Sequence, residues 1–189
     1  MDRREALRLS TIMLGGSLSA ATIAGVLNGC KADPGPGWTP EFITRDQVST
    51  LTELCETILP AGKTPGAKDA QVERFIDSMM KNVFKAEDQT IFANGLKQLD
   101  SDAKDKYGKS FGQLKPEERV TMVKTMDDEL RNRTETPAVK PFYDLVKELT
   151  ITGYCTSEVG ATKHLKYVAV PGEYKPCIPV SEVGGVWAI

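Results

Sequence analysis

Histidine is almost missing from this chain, and its scarcity narrows the chemistry open to it. His164 is the only one among 189 residues, so a histidine metal cluster is excluded, and a Ser-His-Asp or Cys-His arrangement would have to use that one ring. It stands in the polar stretch Thr162-Lys163-His164-Leu165-Lys166 and reads as a solvated surface residue. The four cysteines, Cys30, Cys55, Cys155 and Cys177, form no C-x-x-C pair for zinc or iron–sulfur and no C-x-x-C-H for covalent haem. Neither G-x-G-x-x-G nor G-x-x-x-x-G-K-[ST] occurs; the turn-rich loop from Pro60 to Ala67 lacks that order. Basic residues are scattered rather than striped, net charge is -2 and the pI is about 5.6, which disfavours nucleic-acid binding. Long alternations of β-branched residues are missing too, so no central strand is expected.

What is present is helical periodicity. Thr44 suits an N-cap, and Leu51, Leu54, Cys55, Ile58 and Leu59 then fall at helical spacing until Pro60 stops the run. A second helix carries the cleanest apolar stripe, Val72, Phe75, Ile76, Met79, Met80 and Val83. A third, about 87–104, uses Ile91, Phe92, Leu96, Leu99 and Ala103, and a spacer from Tyr107 to Leu114 turns the chain. Pro116 opens a fourth with Val120, Val123, Met126 and Leu130, its charged residues, Asp127 and Asp128 among them, forming a solvated face. A fifth, 138–152, presents Phe142, Leu145, Val146 and Leu149 and should end at Gly153. The expected fold class is all-α: a compact bundle of about five helices followed by an irregular C-terminal segment rich in Gly, Pro and Tyr. Cys55, on an apolar face, reads as a buried small hydrophobe.

The N-terminus carries a targeting pattern. Arg3 and Arg4 precede the 21 uncharged residues Leu9 to Gly29, an arrangement like a twin-arginine export signal, which moves proteins already folded. Gly15, Gly16, Gly25 and Gly29 make the run weakly hydrophobic, closer to a cleavable h-region than to a membrane anchor. It ends Val26-Leu27-Asn28-Gly29-Cys30, similar to a lipobox, so Cys30 is the expected lipidation site and the Pro/Gly stretch after it a tether. The expected organisation is a signal peptide over 1–29, a tether over 30–40 and a helical domain over 41–189.

The last third breaks the helical rhythm. Gly153-Tyr154-Cys155-Thr156-Ser157-Glu158-Val159-Gly160, then Val170-Pro171-Gly172-Glu173-Tyr174 and Lys175-Pro176-Cys177-Ile178-Pro179, are too rich in glycine and proline to build a core of their own. Such a segment must lie on the helical body or on another protein.

These blocks, with Leu51-Thr52-Glu53-Leu54-Cys55-Glu56-Thr57-Ile58-Leu59-Pro60 and Thr64-Pro65-Gly66-Ala67, together resemble the gluconate 2-dehydrogenase subunit 3 family over about residues 46–188. The resemblance implies a small, non-catalytic subunit of periplasmic, membrane-associated sugar or polyol dehydrogenases. Its partner would be an FAD-containing large subunit of the glucose-methanol-choline type, often working with a cytochrome c subunit. The small subunit would carry that flavoprotein through the Tat system and stabilise it, binding no cofactor and holding no catalytic residue itself. Against the family pattern, Cys55 and Cys155 are unusual, and two disulfides stay open: Cys155 with Cys177, or Cys55 with Cys155. Exposed aromatics favour a partner surface at Tyr154, Ser157, Glu158, Tyr167, Pro171, Tyr174 and Trp187. The competing reading is a free-standing periplasmic lipoprotein binding a ligand or an envelope component. A self-sufficient enzyme using Cys155 or His164 is disfavoured, because a nucleophile needs an oriented base.

Overall fold

The computed structural model describes residues 37–188, except residues 136, 138, 171 and 174–176. Five long helices make an all-α body: α1 (Arg45–Ile58), α2 (Val72–Asn82), α3 (Ala86–Tyr107), α4 (Pro116–Asn132) and α5 (Phe142–Thr156). A short α6 (Val180–Val183) lies near the C-terminus, and among the described residues no strand forms beyond one bridge between Lys166 and Trp187.

Helix α1 starts where the cap signal places it, with the Gln47 side chain accepting the Thr44 N–H at 3.0 Å. Leu51, Leu54 and Cys55 are buried along one face. The Cys55 thiol, pushed up to about 12 by burial, receives the Thr150 hydroxyl at 3.4 Å and behaves as interior packing. On α2, Val72, Ile76 and Met80 are buried, whereas Val83, just past the helix end at Asn82, is exposed.

The same helix holds a polar device that a hydrophobic pattern does not reveal. Asp77, 1% exposed, accepts the N–H groups of Glu41 (2.7 Å), Phe42 (3.0 Å) and Ile43 (2.8 Å), pinning the segment that enters α1 onto α2. Trp38, in the stretch expected to be tether, packs half-buried against the core with the Arg74 guanidinium 5.8 Å from its ring centre. Asp100 does similar work from α3, accepting the Thr50 hydroxyl and the Phe111 N–H. Gly108, at φ +72°, turns the chain after α3 in a conformation that favours glycine. Phe111 then plunges into the core from a single 3₁₀ turn (Phe111–Gln113), so the expected spacer is itself core material.

Helix α4 is the peripheral one. Of its predicted stripe only Val123 is buried; Met126 and Leu130 are half-buried and Val120 is exposed. Asp127 departs from the solvated reading. It faces α5, pairs with Lys147 and Arg131 and accepts the Tyr143 hydroxyl. The hydrogen bond from Lys147 holds its carboxyl below the usual range, against a partial loss of hydration.

Helix α5 packs against each of the other four helices and completes the core, with Phe92 meeting Phe42 and Phe142 edge-on at 6.0 and 5.7 Å. Its bounds differ from the expected 138–152 at both ends. It starts later because Lys140 precedes Pro141, and a residue before proline avoids the helical region. It runs on through Gly153, which is not a stop: a Cβ there would lie 2.5 Å from Phe75 Cδ1, so glycine serves the close packing of α2 on α5.

Candidate functional site

The chain beyond α5 defines one end of the molecule. Ser157 takes an extended conformation (ψ 155°) that halts the helix; its hydroxyl donates to the Tyr154 carbonyl at 2.7 Å and accepts the Gly160 N–H at 2.9 Å. A π-helical turn (Gly160–His164) follows. Tyr154 donates its hydroxyl to the Pro65 carbonyl at 2.7 Å, and the His164 ring meets the Tyr154 ring edge-on at 5.7 Å, with Nδ1 3.4 Å from Thr64 Oγ1. These contacts fasten the loop after α1 to the same end. That loop is closed by the Ala67 N–H on the Leu59 carbonyl and organised by Glu56, which accepts the N–H groups of Ala61 and Lys68.

From Lys166 the chain makes an excursion and returns at Trp187. The Lys166 N–H donates to Val186 at 2.7 Å, and Ala188 donates back to Lys166 at 3.0 Å. The Lys166 ammonium reaches the Val183 carbonyl at 2.6 Å and lies 4.7 Å from the Trp187 ring centre. This small ladder closes the excursion, yet its apolar residues stay in solvent: Tyr167 is 50% exposed, Val170 82% and Trp187 44%, with Ile178 and Val186 exposed beside them. More than half of the large exposed hydrophobics among the described residues lie in this short segment. Between it and the body sits a pocket of about 400 Å³, lined by Cys155, Thr156, Ser157, Glu158, Ala161 and Thr162 from the end of α5 and the turn after it and by Tyr167 and Ala188 from the excursion.

Of the residues expected to face a partner, the structure gathers Ser157, Glu158, Tyr167 and Trp187 at this end, with Glu158 exposed and Ser157 occupied by backbone capping. Tyr154 is different: at 4% exposure its ring belongs to the core, because α5 continues past Gly153 and carries it inward. Pro171 and Tyr174 lie outside the described residues, as do Arg3, Arg4 and Cys30. Cys55, Cys155 and Cys177 are free thiols here, buried, half-buried and exposed in turn, so neither pairing is formed. Cys55 is buried, with the Thr150 hydroxyl donating to its sulfur at 3.4 Å. Val186 and Ala161 were not singled out by sequence, and Val170 and Ile178 stood there only as members of the Gly/Pro-rich blocks; isolated aliphatic residues in such a stretch carry no periodicity to mark them. Among the described residues no three His, Cys, Asp or Glu side chains cluster as a metal site, and no helix is long and apolar enough to cross a membrane.

A protein-family model described as gluconate 2-dehydrogenase subunit 3 matches residues 45–172. No curated protein and no solved structure matches the chain.

Proposed function

The chain belongs to the gluconate 2-dehydrogenase subunit 3 family, and from that membership we propose that it is the non-catalytic small subunit of a membrane-associated, periplasmic, FAD-dependent sugar dehydrogenase. Membership makes it a subunit of a dehydrogenase complex. The finer reading is that it accompanies a flavoprotein of the glucose-methanol-choline type through Tat export, holds it folded and keeps it at the membrane through lipid on Cys30. The flavin would belong to the partner, and a cytochrome c subunit would take the electrons. The observation that carries the reading is the exposed apolar excursion from Lys166 to Trp187: surface that costs free energy in water is explained by a protein that covers it. The paired Arg3 and Arg4 support export.

Co-expression with the flavoprotein large subunit tests this. Both chains should elute together from a gel-filtration column, with FAD absorbance in the shared peak. Replacing Arg3 and Arg4 by Lys should leave both in the cytoplasm. Recovery of this chain only as a monomer, with the flavoprotein exported unaided, would overturn the proposal and favour the free-standing lipoprotein.

A further inference from the structure

The pocket behind Tyr167 has a chemistry that selects its occupant. Three hydroxyls line it, and each already donates to the chain's own backbone: Thr156 to Thr152, Ser157 to Tyr154 and Thr162 to Glu158, all at 2.7 Å. A hydroxyl whose hydrogen is committed offers an incoming group only its lone pairs, and Ser157 has already given one of these to the Gly160 N–H, so Thr156 and Thr162 are the freer acceptors. Glu158, the one charged side chain of the lining, is exposed and forms no ion pair among the described residues. The remaining walls are apolar or aromatic, namely Cys155, Ala161, Ala188 and the Tyr167 ring. The lining is thus rich in acceptors and singly negative, with the Tyr167 hydroxyl its side-chain O–H donor not already committed, and its volume of about 400 Å³ sits at the low end for ligand pockets.

We infer that this pocket receives an arginine side chain projecting from the flavoprotein partner. The inference rests on the proposed function and names the chemistry of its contact. A guanidinium has five donors and no acceptor, lies flat on aromatic rings and carries an apolar stem, so it meets all three features of the lining. Its charge would pair with Glu158, its plane with Tyr167 and its stem with Ala161 and Ala188. A carboxylate would instead be repelled by Glu158 and meet three hydroxyls whose hydrogens are committed, with the Tyr167 hydroxyl left to donate to it. A purely aliphatic side chain would leave Glu158 without a partner inside the contact.

The full-length chain in complex with its flavoprotein provides the test, with the dissociation constant read by fluorescence titration. Glu158→Gln should weaken the complex about tenfold to a hundredfold, as expected for loss of a charge-assisted contact, and should flatten its salt dependence. Tyr167→Leu should weaken it while Tyr167→Phe restores it, separating ring stacking from bulk. Millimolar N-acetyl-arginine amide should compete with complex formation, and the neutral N-acetyl-citrulline amide should not. A native chain that fails to bind the flavoprotein at all overturns the proposed function. Native binding that is indifferent to Glu158→Gln and to the arginine probe leaves that function standing and overturns the arginine pocket.

Discussion

The helical body and the C-terminal excursion handle the same physical problem in opposite ways. In the body, most polar groups that enter the interior are matched, Asp77 taking three backbone N–H groups and Asp100 two donors, while the apolar Phe92 is enclosed between two other rings. In the excursion, the bridge between Lys166 and Trp187 satisfies the backbone at its base, but Tyr167, Val170, Ile178, Val186 and Trp187 are left facing water. One region is finished by its own contacts; the other leaves apolar surface for the proposed partner to cover. Stability and binding should therefore respond to different residues.

The largest effect expected from breaking that division is on the body. Asp77→Ala removes one carboxylate and strands three N–H groups, Ile43's in a buried setting. Each lost partner of a charged acceptor is worth on the order of 1–3 kcal/mol, so unfolding free energy in urea should fall by at least about 3 kcal/mol. A loss below 1 kcal/mol would show that water replaces the carboxylate and that the clamp is dispensable.

The converse substitution leaves the body alone. Trp187→Ala removes a largely exposed ring that lies on the Lys166 ammonium, an interaction worth about 0.5–1 kcal/mol at such a site. Urea midpoints should barely move, while the affinity for the flavoprotein should drop by more than tenfold, as for a truncated aromatic anchor. Equal losses in stability and binding would erase the distinction between the two regions.

Sequence made the body legible because burial there follows the helical period. Leu51, Ile76, Phe92 and Val146 repeat at spacings that hydrophobic pattern alone can read, and they are buried as expected. What escaped is whatever depends on partners distant in the chain. Gly153 looks like a helix stop until Phe75 is seen against it. Asp127 looks solvated until Lys147 arrives from α5, and nothing in the local pattern marks Asp77 as the acceptor for residues 41–43. At the candidate site, Glu158, Tyr167 and Trp187 were legible as polar or aromatic residues in a stretch unable to form a core. The pocket was not, since Ala161 and Ala188 gain meaning only when the excursion closes at Lys166.

The smallest effect expected tests whether the body is as fully matched as this contrast implies. Glu73, 8% exposed near the start of α2, is an exception: its Oε2 is buried without a hydrogen-bond partner. Burial pushes its carboxyl above the usual range, opposed by its backbone hydrogen bond and by the nearby Arg74 and Lys68 charges. The folded state therefore holds this proton more tightly than the unfolded chain does. The stability so contributed is complete below the unfolded carboxyl range and is lost as pH rises through the raised folded value, so at pH 7 the ionised group is a liability. Glu73→Met keeps the length of the side chain and removes the charge. Its melting temperature should exceed that of the native chain at pH 7 by a few degrees, at about 2–4 °C per kcal/mol for a domain this size. The gain should shrink toward zero near pH 4, where native Glu73 is protonated in the fold. A gain of the same size at both pH values would assign it to packing, and a loss at pH 7 would mean that Arg74 and Lys68 outweigh the burial.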